Sequence, residues 1–342
     1  MRTITLEEHY ATEAFMEGPG RELKEQAEAA RDHPQVAAGY TKLIDELCDL
    51  GGGRISAMDA AGIDVQVLSL TFPGVEQLEA AEAVAFARET NDLLAEAVRR
   101  HPDRFAGFAA LPTASPEDAA EELERTIGEY GFKGALINGH TRGRYLDDSF
   151  FWPILEQAEA LGVPIYLHPT PPPRPVIEAS YAGNYAPGVT ALFSTAAWGW
   201  HIETATHIVR LILGGAFDRY QGLQLVVGHM GEALPFMLPR LEIALPGEAT
   251  KLERPVGSYL RENLHYTFGG FNWVQAYLDL VLQVGVERIM FWADHPYASM
   301  AQARAFLDGL PASPADKERI AHTNAERLLR QTPGVDGRDD YP

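Results

Sequence analysis

Residues 105–138, FAGFAALPTASPEDAAEELERTIGEYGFKGALIN, contain a complete predicted strand–helix–strand unit. The apolar runs at 105–110 and 133–138 have the length and composition of buried strands. Between them, 116–130 has helical periodicity, starts at a Ser-Pro pair and is followed by Gly131, a typical residue after a helix end. Two apolar strands joined by a covering helix indicate a parallel sheet.

The same alternation of strand and helix extends through the rest of the chain. Six further apolar runs predict strands at 2–6, 64–70, 163–167, 223–228, 263–267 and 288–293. Helical periodicity also marks 79–100, 150–161 and 273–285. Eight strands favour a closed (β/α)8 TIM barrel, and the alternative is an open α/β sheet with one strand over-counted. The absence of GxGxxG and GxxxxGK[ST] motifs argues against a nucleotide-binding sheet.

We interpret the 342 residues, 1–342, as one barrel domain with two inserted segments. The first insertion, 11–50, follows strand one. The second, 169–200, follows strand five and is rich in Pro, Gly and aromatic residues, a composition that suits an ordered loop at an active site. The segment 331–342 is a polar tail.

Charge and cysteine content limit the classes of function. The formal net charge is 28 − 48 = −20, which argues against binding to nucleic acids and to anionic membranes. Cys48 is the lone cysteine, so no intramolecular disulfide can form. The start of the chain lacks the features of a signal peptide, and no apolar run approaches 18 residues. We therefore expect a soluble, cytoplasmic protein.

Polar side chains follow the predicted strands where the mouth of a barrel would lie. Glu7 and His9 follow strand one, and His168, His229 and Asp294 follow strands five, six and eight. Alternation along an extended strand places the first two on one face. Active-site residues of TIM barrels cluster at this end, and a mixed N/O ligand set suits Zn²⁺, Mn²⁺ or Fe²⁺ better than Ca²⁺. Each residue alone could instead be a capping or hydrogen-bonding group.

Eight motifs give the chain a family resemblance. They are LEEH (6–9), RISAMDAAGIDVQVLSL (54–70), HPDRFAGFAALP (101–112), GFKGALING (131–139), VPIYLHP (163–169), LQLVVGHMGEALPFMLPR (223–240), RIMFWADHPY (288–297) and NAERLL (324–329). The sequence resembles the amidohydrolase superfamily. Within it, the similarity is to the nonoxidative decarboxylases related to aminocarboxymuconate semialdehyde decarboxylase and γ-resorcylate (2,6-dihydroxybenzoate) decarboxylase.

The resemblance implies an amidohydrolase-like barrel whose metal ligands are Glu7, His9, His168 and Asp294. Strand four ends at Asn138, so the lysine that carries a bridging carbamate in hydrolytic members is missing. The resemblance therefore implies one divalent ion, Zn²⁺ or Mn²⁺, and not two.

The resemblance also implies a carboxy-lyase that acts on a hydroxylated aromatic carboxylic acid. Asp294 would protonate the ring before CO2 loss, and His229, oriented by Glu232, would assist. The His229–Glu232 pair has a plain structural hydrogen bond as its alternative. A hydrolase or hydratase that uses a metal-activated water is the alternative reaction, and a barrel that has lost turnover is the alternative from another class.

Several residues are candidates for substrate binding. They are Arg54, His140, Phe193, Trp198, Phe271 and Trp292. In related enzymes the RxxxMD arginine contacts the substrate carboxylate, although here it could instead pair with Asp59. The aromatic residues could also belong to the core or to a subunit interface. The expected partners are a small aromatic carboxylate and a second copy of the chain, in a homodimer or homotetramer.

Overall fold

The structure is a computed structural model that describes residues 1–329. The predicted tail, 331–342, lies outside the described residues. Strands alternate with helices along the chain. The strands are β1 (Ile4–Tyr10), β2 (Val65–Leu70), β3 (Phe105–Gly107), β4 (Ala109–Ala110), β5 (Ala135–Asn138), β6 (Ile165–His168), β7 (Leu225–Val227), β8 (Leu264–Thr267) and β9 (Ile289–Met290).

All strand pairs are parallel, in the orders β1-β2-β3 and β4-β5-β6-β7-β8-β9. Two backbone hydrogen bonds join these groups. Phe108 N donates to Leu68 O at 2.9 Å, and Leu6 N donates to Phe291 O at 3.2 Å. Because β3 and β4 continue one another around Phe108, the strands occupy eight positions. This arrangement is a (β/α)8 barrel, and the open sheet is not observed.

Helices cover the outside of the barrel and fill both predicted insertions. The helices are α1 (Glu13–Glu17), α2 (Arg21–Ala29), α3 (Pro34–Cys48), α4 (Gly52–Ala61), α5 (Ala80–Arg100), α6 (Pro116–Tyr130), α7 (Trp152–Leu161), α8 (Arg174–Ser180), α9 (Pro187–Ser194), α10 (Gly199–Leu213), α11 (Ala216–Arg219), α12 (Leu234–Ala244), α13 (Gly247–Thr250), α14 (Val256–Glu262), α15 (Val274–Val284), α16 (Met300–Gly309), α17 (Pro314–Glu318) and α18 (Asn324–Leu329). Among residues 1–329, no helix combines the length and apolar character needed to cross a membrane.

Helix α6 has the bounds that the sequence predicts, for local reasons. Proline stands in its first turn, where a missing backbone N–H costs nothing, and Gly131 ends the helix at φ +68°. The hydroxyl of Ser115 donates to Asp118 at 2.5 Å and does not cap a backbone N–H. The helix buries Leu123 against the barrel.

Neighbouring residues of β6 belong to different apolar clusters. Ile165 and Leu167 of β6 pack toward the surrounding helices, whereas Tyr166 belongs to a smaller cluster. That smaller cluster fills the inside of the barrel and contains Ile4, Leu6, Val67, Phe108, Leu136, Tyr166, Val226 and Met290, with Ala325 and Leu328 of α18 against them. The barrel is therefore a packed core whose functional groups must lie above it.

The predicted limits of the first and last strands were wrong. Strand β1 extends to Tyr10 instead of ending at residue 6, and its pairing with β2 shifts between Thr5 and Glu8. Glu7 lies at this irregularity with φ +60°. Regular alternation therefore does not explain why Glu7 and His9 meet; a local bulge changes the direction of Glu7. Strand β9 pairs only at Ile289–Met290, and the chain continues to Asp294 without a ladder.

Candidate metal centre and active site

Three predicted ligands converge at the mouth of the barrel. Ligand atoms of Glu7, His9 and His168 all lie within 4.8 Å of one another. Glu7 Oε1 is 3.1 Å from His168 Nε2 and 3.8 Å from His9 Nε2. All three side chains are buried; Glu7 and His9 belong to β1, and His168 is the last residue of β6. The fold thus brings one carboxylate and two imidazoles to a common point.

Asp294 lies beside this group. Its Oδ1 is 3.3 Å from His9 Nε2. A Cβ atom built on Gly270 would lie 3.5 Å from Asp294 Oδ2 and 3.9 Å from His229 Nε2, so the aspartate and His229 flank the same glycine. Asp294 therefore borders both the three ligands and the space in front of His229.

Backbone strain concentrates at this mouth. Glu7, His229, Glu232 and Asp294 all have positive φ, at 60°, 49°, 55° and 61°. A non-glycine residue in the left-handed region costs about 1–3 kcal/mol, and such residues cluster at functional sites. Four of the positions that the sequence nominated for chemistry thus have unfavourable backbone angles.

The donor set fits a divalent cation. Among residues 1–329, neither oxygen of the buried Glu7 carboxylate has a hydrogen-bond partner. The nearby hydroxyl of Tyr166 instead bonds with Thr267 Oγ1 at 2.8 Å. Burial raises the pKa of Glu7 to about 8, because the charges of His9 and His229 offset the effect of burial only in part. A cation between this carboxylate and Nε2 of His9 and His168 would supply that compensation.

Glu8 links strand β1 to the segment that carries Asp294. Its carboxylate accepts hydrogen bonds from the backbone N–H groups of Ala293 at 2.9 Å and His295 at 3.1 Å. In addition, Trp292 Nε1 donates to Glu7 O at 2.9 Å. These bonds tie β1 to the segment that carries Asp294, so the ligands from the two ends of the chain are held in register.

Arg54 does not lie at the cavity. Its guanidinium is buried and donates to three backbone carbonyls, including that of His9 at 2.7 Å. The alternative pairing with Asp59 is also wrong, because Asp59 pairs with Arg104 at 2.8 Å. The geometry places Arg54 as a support for the backbone of β1 and not as a contact for a substrate carboxylate.

A second carboxylate, Glu232, binds two histidines. Its Oε1 lies 2.7 Å from His229 Nδ1 and its Oε2 lies 2.5 Å from His201 Nδ1. The His229–Glu232 contact is the one that the sequence predicted. His201 was missed, because it follows the 169–200 insertion on the first turn of α10 and no strand end points to it. Only its imidazole chemistry could have drawn attention to it.

The pKa shifts of Glu232 and of the histidines at the barrel mouth have different directions. Burial alone would raise the pKa of Glu232, but the charge of His229 and the hydrogen bond from His201 outweigh burial and lower it to about 2. Burial opposes protonation of His229 and His201, yet Glu232 raises the pKa of both. By contrast, burial and the charge of His229 lower the pKa of His168 to about 4. His168 is thus neutral, as a metal ligand must be.

A cavity of about 480 Å³ opens in front of this cluster. Of the predicted substrate contacts, Trp198 and Phe271 line it, and the Phe271 ring lies 5.4 Å from that of His229. The full lining is Ala197, Trp198, His201, Ile202, His229, Met230, Glu232, Ala233, Pro235, Phe236, Phe271, Gln275, Ala276 and Asp279. The cavity is mainly apolar, and its lining includes the polar cluster of His201, His229 and Glu232, which suits an aromatic ligand with polar substituents.

Trp292 is buried below His229 and does not line the cavity. Its ring centroid is 4.6 Å from that of His229 in an edge-to-face contact. Gly269 makes room for the indole, since a Cβ atom there would lie 2.3 Å from Trp292 Cδ2. The indole therefore forms the floor under His229.

Two other predicted contacts lie elsewhere. Both ring nitrogens of His140 are engaged: Nδ1 accepts from Gly143 N at 3.1 Å, and Nε2 lies 3.1 Å from Pro171 O. Phe193 packs against Tyr181 with ring centroids 5.1 Å apart. Each residue makes its contacts elsewhere in the protein, and neither one lines the cavity.

Comparison with known proteins agrees with this geometry. The amidohydrolase family profile matches residues 44–331. The γ-resorcylate decarboxylase of Polaromonas sp. is 36% identical over 338 residues, which are 96% of this chain and 98% of that protein.

Two solved structures are similar to this chain in both fold and sequence. A 5-carboxyvanillate decarboxylase of Novosphingobium aromaticivorans, complexed with manganese and 4-hydroxy-3-methoxy-5-nitrobenzoic acid, matches with a TM-score of 0.86 at 35% identity over 96% of each chain. A dihydroxybenzoic acid decarboxylase of Polaromonas sp., with manganese and the inhibitor 2-nitroresorcinol, gives 0.81 at 35% identity, again over 96% of each chain. The chain therefore belongs to the amidohydrolase family, in its branch of aromatic acid decarboxylases.

Proposed function

We propose that this chain is a metal-dependent carboxy-lyase that removes CO2 from a hydroxylated aromatic carboxylic acid. One divalent ion is held by Glu7, His9, His168 and Asp294. The observation that carries the proposal is the meeting of these residues: Glu7 Oε1 lies 3.1 Å from His168 Nε2, and Asp294 Oδ1 lies 3.3 Å from His9 Nε2. Glu7 is also fully buried, and nearby histidines compensate its charge only in part.

When bound, a divalent ion supplies the positive charge that gathers the carboxylate and an ortho hydroxyl of the substrate. Nitrogen and carboxylate donors suit Mn²⁺ and Zn²⁺. Manganese is the ion in both of the solved relatives.

Asp294 acts as the proton donor. Its carboxyl group transfers a proton to the ring carbon that bears the carboxylate, and the ring loses aromaticity. The bond between this carbon and the carboxylate then breaks, its electron pair restores the aromatic ring, and CO2 leaves. Each turnover consumes one proton, which Asp294 regains from solvent.

His229 acts on the substrate hydroxyl. Glu232 accepts from its Nδ1 at 2.7 Å, which fixes the ring and leaves Nε2 on the side of Gly270 and Asp294. An unprotonated Nε2 accepts a hydrogen bond from the ring hydroxyl and helps to orient the substrate. Phe271 and Trp198 pack on the aromatic ring from the cavity side.

The activity test uses the purified protein with Mn²⁺ or Zn²⁺ and a panel of ortho-hydroxybenzoates that includes 2,6-dihydroxybenzoate. We expect CO2 release that depends on the metal, at about one equivalent of bound ion per chain. Esters, lactones and enoic acids are tested in parallel for hydrolysis and hydration. Turnover of these compounds without CO2 release from any benzoate would support the hydrolase or hydratase alternative.

We also propose that residues 1–342 form one domain, that the protein is cytoplasmic, and that it assembles as a homodimer or homotetramer. Support for assembly comes from large apolar side chains left exposed on α9, α12 and α15. These include Leu192, Phe236, Ile243 and Leu282. Light scattering after size exclusion measures the assembly, and a monomeric mass would contradict it.

A further inference from the structure

His201 has an acceptor at each ring nitrogen. Nδ1 lies 2.5 Å from Glu232 Oε2, and Nε2 lies 3.0 Å from the carbonyl oxygen of Ala196. A carbonyl oxygen can only accept, so Nε2 must carry hydrogen. At Nδ1 the hydrogen belongs either to the imidazole or to the carboxyl group.

The surroundings of Glu232 decide between these two positions. Its other oxygen accepts from His229 Nδ1 at 2.7 Å, and the two imidazoles together lower the pKa of Glu232 to about 2. The hydrogen therefore resides on the histidine, and His201 is an imidazolium with two N–H donors. Its place in the first turn of α10 opposes a positive charge, because a helix N-terminus is itself positive. The carboxylate in direct contact outweighs this effect.

We propose that His201 is a positioning residue that acts on the reaction through Glu232. As an imidazolium, it balances the charge of Glu232 and opposes a second proton on His229, which favours the form of His229 with hydrogen on Nδ1 and a free electron pair on Nε2. This inference rests on the proposed function, because Nε2 of His229 is the atom that receives the substrate hydroxyl.

The charge arrangement explains why a second histidine is useful here. If Glu232 faced His229 alone, its negative charge would favour a second proton on His229. Nε2 would then be a donor and could no longer accept from the hydroxyl. His201 opposes this bias, since the ring centroids of the two histidines lie only 4.9 Å apart and like charges at that distance repel.

Few other titratable groups face His201. Glu232 and His229 approach it from the turn after β7, and Asp279 of α15 lines the same cavity. Glu203, two residues further along α10, is bound by the hydroxyl of Tyr145. The charge state of His201 is therefore set mainly by Glu232.

The kinetic test compares His201→Ala and His201→Asn with wild type. For the alanine variant we expect kcat to fall by roughly 10–100-fold, as for other residues that orient a catalytic group, with a smaller change in KM. The acidic limb of the kcat/KM profile should move to higher pH by roughly one unit, because His229 becomes more basic. Asparagine restores a neutral donor near Nδ1, so it should recover part of kcat but leave the limb displaced.

Thr206→Ala, on the exposed side of α10, is the matched control and should behave as wild type. An acidic limb that stays in place in both His201 variants would overturn the proposal. So would a full recovery of the wild-type limb by asparagine, since asparagine carries no charge.

A measurement on the wild type keeps the test independent of folding and of activity. In protein labelled with ¹⁵N at histidine and loaded with diamagnetic Zn²⁺, NMR at pH 7 should show two protonated nitrogens on His201. His229 should show hydrogen on Nδ1 only. A neutral His201 would overturn the inference even if CO2 is released, whereas a protein without decarboxylase activity but with these spectra would contradict the proposed function alone.

Discussion

Two buried glutamates at the mouth of the barrel have opposite electrostatic environments. Burial raises the pKa of Glu7 to about 8, although the charges of His9 and His229 act in the opposite direction. Glu232 is equally buried, but His229 and His201 each contact one of its oxygens and lower its pKa to about 2. Burial alone would give both residues the same shift.

The different surroundings of the two carboxylates indicate different roles. The protein supplies Glu232 with its own donors, so this group is a fixed anion that orients imidazoles. It supplies Glu7 with two imidazoles whose Nε2 atoms lie 3.1 and 3.8 Å away but make no hydrogen bond to it. A site of this second kind is complete only with a cation from solution.

The largest expected effect comes from the substitution of Asp294 at the proposed metal site. Asp294→Asn removes the proton donor, so kcat should fall by about 10²–10⁴-fold. Metal should remain bound in part, because Glu7, His9 and His168 are unchanged. Kinetics and metal analysis measure the two properties, with the exposed Asp103→Asn as control. Retained turnover would remove Asp294 from this role.

Amide substitutions of the two glutamates in metal-free protein test the comparison directly. At pH 7 Glu232→Gln should destabilise the fold by roughly 3 kcal/mol, because a buried imidazolium loses its partner. Glu7→Gln should leave stability equal or higher, because it removes a group whose ionised form is disfavoured by burial. Denaturant unfolding measures both variants.

The pH dependence of the same variants has opposite signs. Glu7 has a folded pKa above its unfolded value of 4.5, so metal-free wild type should lose stability as pH rises from 4.5 to about 8. Glu7→Gln should lack this loss. The stabilisation from Glu232 is present above pH 4.5 and is lost as pH falls toward about 2. Equal behaviour of both variants would contradict the contrast.

The last prediction extends the contrast to His207, a buried histidine whose pKa is lowered instead of raised. Burial lowers the pKa of His207 to about 3, and its Nε2 accepts from Leu146 N at 2.9 Å. Below pH 6.5 only the unfolded chain binds a proton at this site. The free energy of unfolding should therefore decrease as the pH is lowered, by up to about 1.4 kcal/mol per pH unit. His207→Gln keeps an acceptor and should reduce this slope between pH 6.5 and 4. An unchanged slope would show that His207 is not the source.

Local sequence patterns predicted the fold well where each element is stabilised by its own residues. Helix α6 has its predicted bounds because proline and Gly131 fix its ends. The barrel itself is confirmed by the family and by the solved relatives. Strand β1 was predicted too short because its second half, Glu7 to Tyr10, is mostly polar although it is buried. This part of the strand lies at the candidate metal site and does not follow the apolar pattern of a buried strand.

The candidate site was predicted in part. Strand ends in a barrel converge, so Glu7, His9, His168 and Asp294 could be nominated from their positions alone. Their ligand roles stay a prediction, although the structure brings them together. Arg54 and His140 do not line the cavity, because backbone carbonyls accept from Arg54 and backbone groups of Gly143 and Pro171 engage His140. The sequence alone does not reveal these contacts.

By itself, the sequence determined the order of strands and helices, the family and the set of groups available at the barrel mouth, because these follow from periodicity and from short motifs. Only the tertiary structure decided the charge of each group. Whether a buried carboxylate is balanced depends on which donors the fold brings within about 3 Å, and such donors can be distant in sequence. His201 reaches Glu232 across 31 residues, whereas Glu7 meets no donor of this kind in residues 1–329.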